Sequence, residues 1–404
     1  MRVVLVTPGF PIALDDHHKP FLADHARALA AAGAEVTVVC PAHPDSPRRH
    51  EAGGIEVRRV RFAPASVEAR VARGESYRVF AGLSALWVIP MIARLVVTAA
   101  RQARQRTNDD DAVIHGHWWF PCGLVAVAAA GMARRGTGSV VQVHGSDAAV
   151  TTNAVHRWLA RQVLRRAGAV VAVSEDLRDW GASLVPRPDG VQPPPRIEAA
   201  DRRPGPLLRV VSMPVGIERL GPTTPLPTDG PVLAVGRLMA EKGFDVLIEA
   251  VALMNRNERP DVVIVGDGPD RSLLEALALR RDVSATFPGA VAPSEIGGWY
   301  RQARLVCVPS RREGFGMITA EAIASGRPVV ASAVGAAPQL ISDGKNGFLV
   351  PPDDPAALAA ALTTALAAGS EVPASTHASA LAPFSPQAHA AALLEIYSEI
   401  CQIP

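Results

Sequence analysis

Short runs rich in Val and Ile alternate with Ala- and Leu-rich segments along nearly the whole of this 404-residue chain. A strand that is apolar on both faces must be covered on both, and parallel strands need long crossovers. The alternation therefore points to an α/β fold with parallel sheets between layers of helix. In the first half the expected strands are Val3 to Val6, Val36 to Val39, Val57 to Arg61, Ala112 to His115, Val140 to Val143, Val170 to Val173 and Leu208 to Val211. A second series runs Val232 to Val235, Val262 to Val265, Ser284 to Phe287, Leu305 to Val308, Val329 to Ala331 and Phe348 to Val350. The helical segment Phe21 to Ala32 stops at Gly33, a C-terminal signal. Two series imply two domains, 1–217 and 231–384, with the Gly/Pro/Thr-rich stretch 218–230 as linker and a last helix in 385–404 introduced by Phe384-Ser-Pro386. Open parallel sheets bind ligands beyond the carboxyl ends of their strands, so the loops leaving those ends are the place to look for chemistry.

Composition excludes several classes. With 48% hydrophobic and 20% charged residues the chain is an ordinary globular one, long enough for two cores. Residues 1–200 carry 24 Lys+Arg against 18 Asp+Glu and the rest 17 against 21, so the first half is basic. Its arginines are scattered in sequence, which suits a mixed solvated surface or, on the sharper reading, a face that meets anionic lipid headgroups or a phosphorylated acceptor. Nucleic acid is not an expected partner, because there are only three Tyr and no basic run interleaved with aromatics. Cys40, Cys122, Cys307 and Cys401 lie far apart with no Cys/His cluster in the spacing, so neither a zinc site nor a disulfide framework is expected, and a reducing cytoplasm suits them. The opening Met-Arg-Val-Val-Leu-Val-Thr is too short in apolar residues for a signal peptide and suits a first strand. Val79 to Ala93 is uncharged but contains Pro90 and is too short to span a membrane; a buried helix is the first expectation and a membrane-surface helix the second. The proline-rich stretch Pro186 to Pro206 is expected to be a surface loop.

One stretch carries most of the chemistry: Ser310-Arg-Arg-Glu-Gly-Phe-Gly-Met-Ile-Thr-Ala-Glu321, with Gly326-Arg-Pro-Val-Val330 as the next turn and strand. Gly314 and Gly316 remove side chains where backbone must approach a ligand, and the helix they open offers free N–H groups to an anion. A phosphate fits there, flanked by the carboxylates of Glu313 and Glu321. In Val235-Gly-Arg-Leu-Met-Ala-Glu-Lys-Gly-Phe244, Arg237 and Lys242 follow a strand on the rim of the second domain, two cations able to neutralise a departing diphosphate; the chain has only three lysines. Val265-Gly-Asp-Gly-Pro269 and Pro288-Gly-Ala-Val291 are tight turns at strand ends. On the first domain the strand-end loops are Thr7-Pro-Gly-Phe-Pro11, Val143-His-Gly-Ser-Asp147 and His115-Gly-His-Trp-Trp-Phe-Pro-Cys-Gly123, the last with Pro121 and Gly123 as turn residues and Trp118 and Trp119 as expected core.

On these motifs the chain resembles the retaining glycosyltransferases of the "glycosyl transferases group 1" family (family 4 type), whose signature is the Glu-x7-Glu pair. The resemblance implies a GT-B fold, in which two Rossmann-like domains face a central cleft and the C-terminal helix crosses back to the first. It implies transfer of a sugar from a nucleotide diphosphate sugar, the co-substrate, to an acceptor hydroxyl, without metal or further cofactor. A glycan or lipid-linked acceptor, a role in polysaccharide or glycolipid biosynthesis, and a cytoplasmic location with peripheral membrane contact at the inner face come with it. Arg237, Lys242, His144 and Glu313 are the implied catalytic residues. Gly9, Gly236, Gly266, Val291, Gly314, Phe315, Gly316 and Glu321 are the implied donor-binding residues, and His117 and Asp147 face the acceptor. A nucleotide-sugar epimerase and a non-catalytic nucleotide-sugar-binding protein are alternatives of the same architecture. Two departures stand out: Asp15-Asp-His-His-Lys-Pro20 replaces a glycine-containing loop, and Gly335 is followed by Ala336 and Gln339 where relatives have a second glycine and a Glu.

Overall fold

The computed structural model describes residues 1–11, 20–44, 46–72, 86–105, 111–134, 136–151, 153–185, 205–216, 220, 225–368 and 374–402. The loop at Asp15, most of the stretch 186–206 and much of the linker lie outside the described residues. Two compact units emerge, one from the chain up to Ser212 together with Pro386 onward, the other from Met213–Ser385.

The first unit holds eight described strands: β1 Arg2–Val6, β2 Glu35–Pro41, β3 Arg49–Ala52, β4 Ile55–Val60, β5 Ala112–His117, β6 Thr137–Val143, β7 Ala169–Ala172 and β8 Leu207–Val210. Their order is β3-β4-β2-β1-β5-β6-β7-β8, parallel throughout except for the β3/β4 hairpin. The alternation of side chains along β1 sends Val3 and Leu5 into one apolar cluster and Val4 and Val6 into another. Helix Pro386–Cys401 closes the first cluster with Ala390, Leu393, Ile396, Tyr397 and Ile400. Helix Val88–Arg104 closes the second with Met91, Leu95, Val96 and Ala99.

Two expectations change. β3 is an extra edge strand, made of Arg-His-Glu-Ala and joined to β4 by Gly53 and Gly54, both at positive φ, as a two-residue hairpin turn requires. The apolar run Val79 to Ala93 is not one buried helix. Its described part straddles the start of Val88–Arg104, where Leu86 and Ile89 are 71% and 75% exposed and only the Met91 face packs. Among the described residues no helix is long and apolar enough to cross a membrane.

The second unit holds β9 Val232–Val235, β10 Val262–Val265, β11 Ala285–Gly289, β12 Leu305–Val308, β13 Val329–Ser332 and β14 Gly347–Val350. All described pairs are parallel, in the order β11-β10-β9-β12-β13-β14. This is the doubly wound order, and it reverses between β9 and β12. The first sheet reverses in the same way between β1 and β5. Loops leaving neighbouring strands at such a point diverge to opposite faces and leave room for a ligand.

Candidate active site

In the second unit the sequence motifs fall at the β9/β12 reversal. Gly236 follows β9 at φ +154° and Gly266 follows β10 at φ +141°. A Cβ on Gly266 would stand 1.9 Å from the Gly236 carbonyl oxygen, so the two turns are in direct backbone contact. Arg237 follows Gly236, is exposed, and forms no ion pair among the described residues. A short turn, Ala240–Lys242, ends at Gly243 (φ +64°), where a Cβ would meet the Pro309 carbonyl at 2.0 Å. The loop after β9 is thereby pressed onto the loop after β12.

That contact sets the charges. Lys242 Nζ donates to Glu313 Oε1 at 2.6 Å, and Ser310 Oγ donates to the same oxygen at 2.7 Å. Both ends of the ion pair are largely shielded, at 24% and 12% side-chain exposure. Arg311 holds the loops together: it donates to both carboxylate oxygens of Asp245 at 2.9 and 2.7 Å, to Asp353 at 2.5 Å and to the Ala240 carbonyl, while its amide donates to the Glu241 carbonyl. Burial pushes the Asp245 carboxyl up, but Arg311 outweighs it and holds the group below the usual carboxylate range.

Gly314 is half-buried, and the Phe315 ring is buried against Phe384 with centroids 5.4 Å apart, which fixes the loop. Gly316, at φ +100°, begins helix Met317–Ala324. The first-turn amides of a helix have no intrahelical acceptors, and here the buried Thr319 hydroxyl in that turn also lacks a partner among the described residues. One turn on, Glu321 is buried and Tyr300 donates its hydroxyl to Oε2 at 3.1 Å. Val291 is half-buried just beyond β11. The Gly335-Ala336 departure has a plain local reason. Gly335 sits at φ +61° with a prospective Cβ 2.9 Å from that of Glu313, whereas Ala336 is at φ −91°, where a side chain is at ease, and donates its amide to Phe315.

In the first unit His117, His144 and Asp147 come together. His117 ends β5 and His144 precedes helix Gly145–Val150; their Nδ1 and Nε2 atoms are 3.1 Å apart. Asp147 accepts the amides of Trp119 and His144. Burial lowers the His144 ring to about 3 and raises Asp147 to about 7, the latter against the opposing pull of those amides. Gly9 is half-buried in the loop after β1. Trp119 is core, as expected, but Trp118 is not: half-buried at φ +66°, it lies over His144 with centroids 4.4 Å apart and donates to Ser146.

Several participants escaped the sequence reading. Ser310, Arg311 and Thr319 lay inside the quoted motif without a role. Two of the three tyrosines, Tyr300 and Tyr397, are fully buried and hydrogen-bonded to Glu321 and His115, and their scarcity was the only available signal. Sequence spacing showed no Cys/His cluster, and the one that folding brings together holds no cysteine. His25, His115 and His117 converge, because a helix folded onto a strand brings together residues that spacing keeps apart. The arginines also converge: Arg48, Arg49, Arg58, Arg61, Arg94 and Arg101 line one surface concavity of about 610 Å³.

Residues 21–191 match the model of Glycosyltransferase Family 4 and residues 230–368 that of Glycosyl transferases group 1. Among curated proteins, the D-inositol 3-phosphate glycosyltransferase of Xylanimonas cellulosilytica is 41% identical over 158 residues, 37% of this chain and 36% of the relative. That of Streptomyces scabiei is 36% identical over 192 residues, 43% and 42% of the two chains. The match thus spans about two fifths or less of these relatives' length. Among solved structures, sucrose-phosphate synthase from Thermosynechococcus elongatus superposes with a TM-score of 0.77 at 20% identity, over 99% of this chain and 98% of that one. HepE of Anabaena, in complex with UDP-glucose, does so at 0.69 and 19%, over 99% and 100%. With its two doubly wound sheets and its paired sequence matches, the chain has the GT-B fold and belongs to the family 4 glycosyltransferases of the group 1 type.

Proposed function

We propose that this chain transfers a sugar from a nucleoside diphosphate sugar to an acceptor hydroxyl with retention at the anomeric carbon. One observation carries the reading: Lys242 in the loop after β9 and Glu313 in the loop that opens helix Met317–Ala324 are 2.6 Å apart at the reversal of the second sheet. As the anomeric C–O bond to the diphosphate breaks, charge grows on phosphate oxygens. Arg237, Lys242, the first-turn amides and the Thr319 hydroxyl supply the stabilisation that a divalent ion would otherwise provide. Glu321, steadied by Tyr300, accepts from the ribose diol, and Glu313 from a sugar hydroxyl. The acceptor oxygen bonds to the anomeric carbon on the face the diphosphate leaves, and its proton passes to a phosphate oxygen, so no protein base is needed.

HepE was solved with UDP-glucose, which makes a UDP-linked hexose the first donor to try. The curated relatives are named for D-inositol 3-phosphate, which puts that compound first among acceptors. The arginine-lined concavity, with exposed Leu86 and Ile89 at the start of the helix that forms one of its walls, supports peripheral contact with anionic lipid. The test is to incubate the protein with UDP-, GDP- and ADP-sugars in EDTA, with and without D-inositol 3-phosphate or a lipid extract. Acceptor-dependent nucleoside diphosphate release with an unchanged anomeric configuration supports the proposal. Sugar conversion without acceptor, or no turnover and no binding heat with any of the three nucleotides, overturns it.

A further inference from the structure

The convergent histidines form a cluster whose inner nitrogens have no part in the transfer proposed above, although His117 borders the acceptor side and contacts His144. His25 comes from helix Pro20–Ala31, and His115 and His117 from one face of β5; all three are 0% exposed, and one ring nitrogen from each lies within 4.8 Å of the others. Each Nδ1 is engaged: His25 with His389 Nε2 at 2.9 Å, His115 with the Tyr397 hydroxyl at 2.5 Å, His117 with His144 Nε2 at 3.1 Å. Each Nε2 is buried without a hydrogen-bond partner of good geometry among the described residues, with the Gln142 side chain beside His115.

The tautomer on one side follows from the bonding. A carbonyl can only accept, so the contact at 2.7 Å between His389 Nδ1 and the Ser212 carbonyl places the proton on that Nδ1. His389 Nε2 is then the acceptor for His25 Nδ1–H, and His25 Nε2 is left with a bare lone pair. His115 and His117 reach the same state in the tautomers that carry the proton on Nδ1 and donate it to the tyrosine oxygen and to His144 Nε2. Buried lone pairs without donors are costly to one another and to the fold, and one cation satisfies all three. Outer partners that fix ring orientation while leaving Nε2 free are what a histidine metal site needs.

We propose that His25, His115 and His117 bind one divalent first-row transition ion of the zinc class through Nε2, with His389, Tyr397 and His144 as orienting partners. Three imidazoles without carboxylate or thiolate suit zinc, cobalt, nickel or copper and not magnesium or calcium. The ion ties the first helix and β5 together, and the last helix through His389 and Tyr397, and it steadies His144 through His117. The site lies wholly in the first unit and does not involve Lys242 or Glu313, and its test reads ion retention, so its failure is distinguishable from that of the transferase reading.

The test uses the full chain, without a histidine tag, unfolded in EDTA and refolded with Zn(II) or Co(II), then passed over a chelating resin. One retained ion per chain, with the intense visible absorption of low-coordinate cobalt, is the expected result. His25→Gln should lose both, and His389→Gln, which keeps all three ligands, should weaken binding by about 10–100-fold. His156→Gln, on an exposed side chain, should change nothing. If refolded wild-type protein retains no ion, or its cobalt spectrum is that of the aquo ion, the cluster is a neutral hydrogen-bonded core and the proposal is overturned. That wild-type measurement decides the matter even if a variant fails to fold.

Discussion

At Arg237 and Lys242 two cations of the same loop have different tasks, and their surroundings say which. Arg237 is exposed and forms no ion pair among the described residues, so its removal leaves the fold intact. Arg237→Ala should keep the melting temperature and the nucleotide affinity nearly unchanged while lowering kcat by roughly 100–1,000-fold, the scale for losing one donor to developing charge. Steady-state kinetics beside nucleotide calorimetry check this, and equal losses in kcat and affinity would speak against a transition-state role. Gly335 offers a second residue-scale case. At φ +61°, with a prospective Cβ 2.9 Å from that of Glu313, Gly335→Ala should cost about 1–2 kcal/mol for the left-handed backbone and also displace Glu313. Gly344→Ala, at φ +72° in open space, carries only the first penalty. Denaturant melts should therefore show a small loss for Gly344→Ala and a larger one for Gly335→Ala, and only Gly335→Ala should lose activity.

Among the elements, the loops after β9 and β12 matter more than any helix, and Arg311 is their joint. Its two bonds to Asp245 are charge-assisted, but Asp245 is 44% exposed, so about 1 kcal/mol after screening is the reasonable scale for the pair. Arg311→Ala should cost about that much stability and raise KM for the donor sugar, because Lys242 and Glu313 are no longer held in register. The pH dependence has a definite sign. Arg311 holds Asp245 below its ordinary range, so the pair's contribution is present above the ordinary carboxylate range and is lost as the pH falls below it. Wild type and Arg311→Ala should differ in urea stability at pH 7 and converge in acid; a constant difference would mean the guanidinium acts through its backbone contacts alone. Here the limits of sequence reading are physical. The Val- and Ile-rich strands were legible because a doubly buried strand has one composition. The edge strand Arg49–Ala52 was not, because one exposed face tolerates Arg, His and Glu, although its Gly53-Gly54 turn was a usable sign. Glu313 and Glu321 were legible from a local motif, whereas Tyr300, Arg311's partner Asp245 and the histidine cluster depend on long-range packing that no local pattern encodes.

For the molecule as a whole, the decisive fact is that the first unit is completed only by the last sixteen-residue helix. Leu393, Ile396, Tyr397 and Ile400 are each 6% exposed or less and share a cluster with Val3 and Leu5 of β1 and Val113 of β5. Ile400 also lies where a Cβ on Gly138 of β6 would come within 2.8 Å of its side chain, so the helix and sheet fit closely there. Burying four such side chains contributes roughly 1.5–3 kcal/mol each, which together rivals the 5–15 kcal/mol that a whole domain has in hand. Pro386 marks where this helix begins, and the resemblance stated from the motifs already implied that it crosses back to the first domain, although its own apolar pattern does not say which sheet it covers. A chain ending at Ser385 should therefore lose the cooperative thermal transition of the first unit and become protease-sensitive before Ser212. The second unit, whose own core includes Val232, Ile264 and Leu305, should keep its transition and its resistance to cleavage. Calorimetry with limited proteolysis separates the two outcomes, and a truncated chain with both transitions intact would show that this helix covers the sheet without holding it.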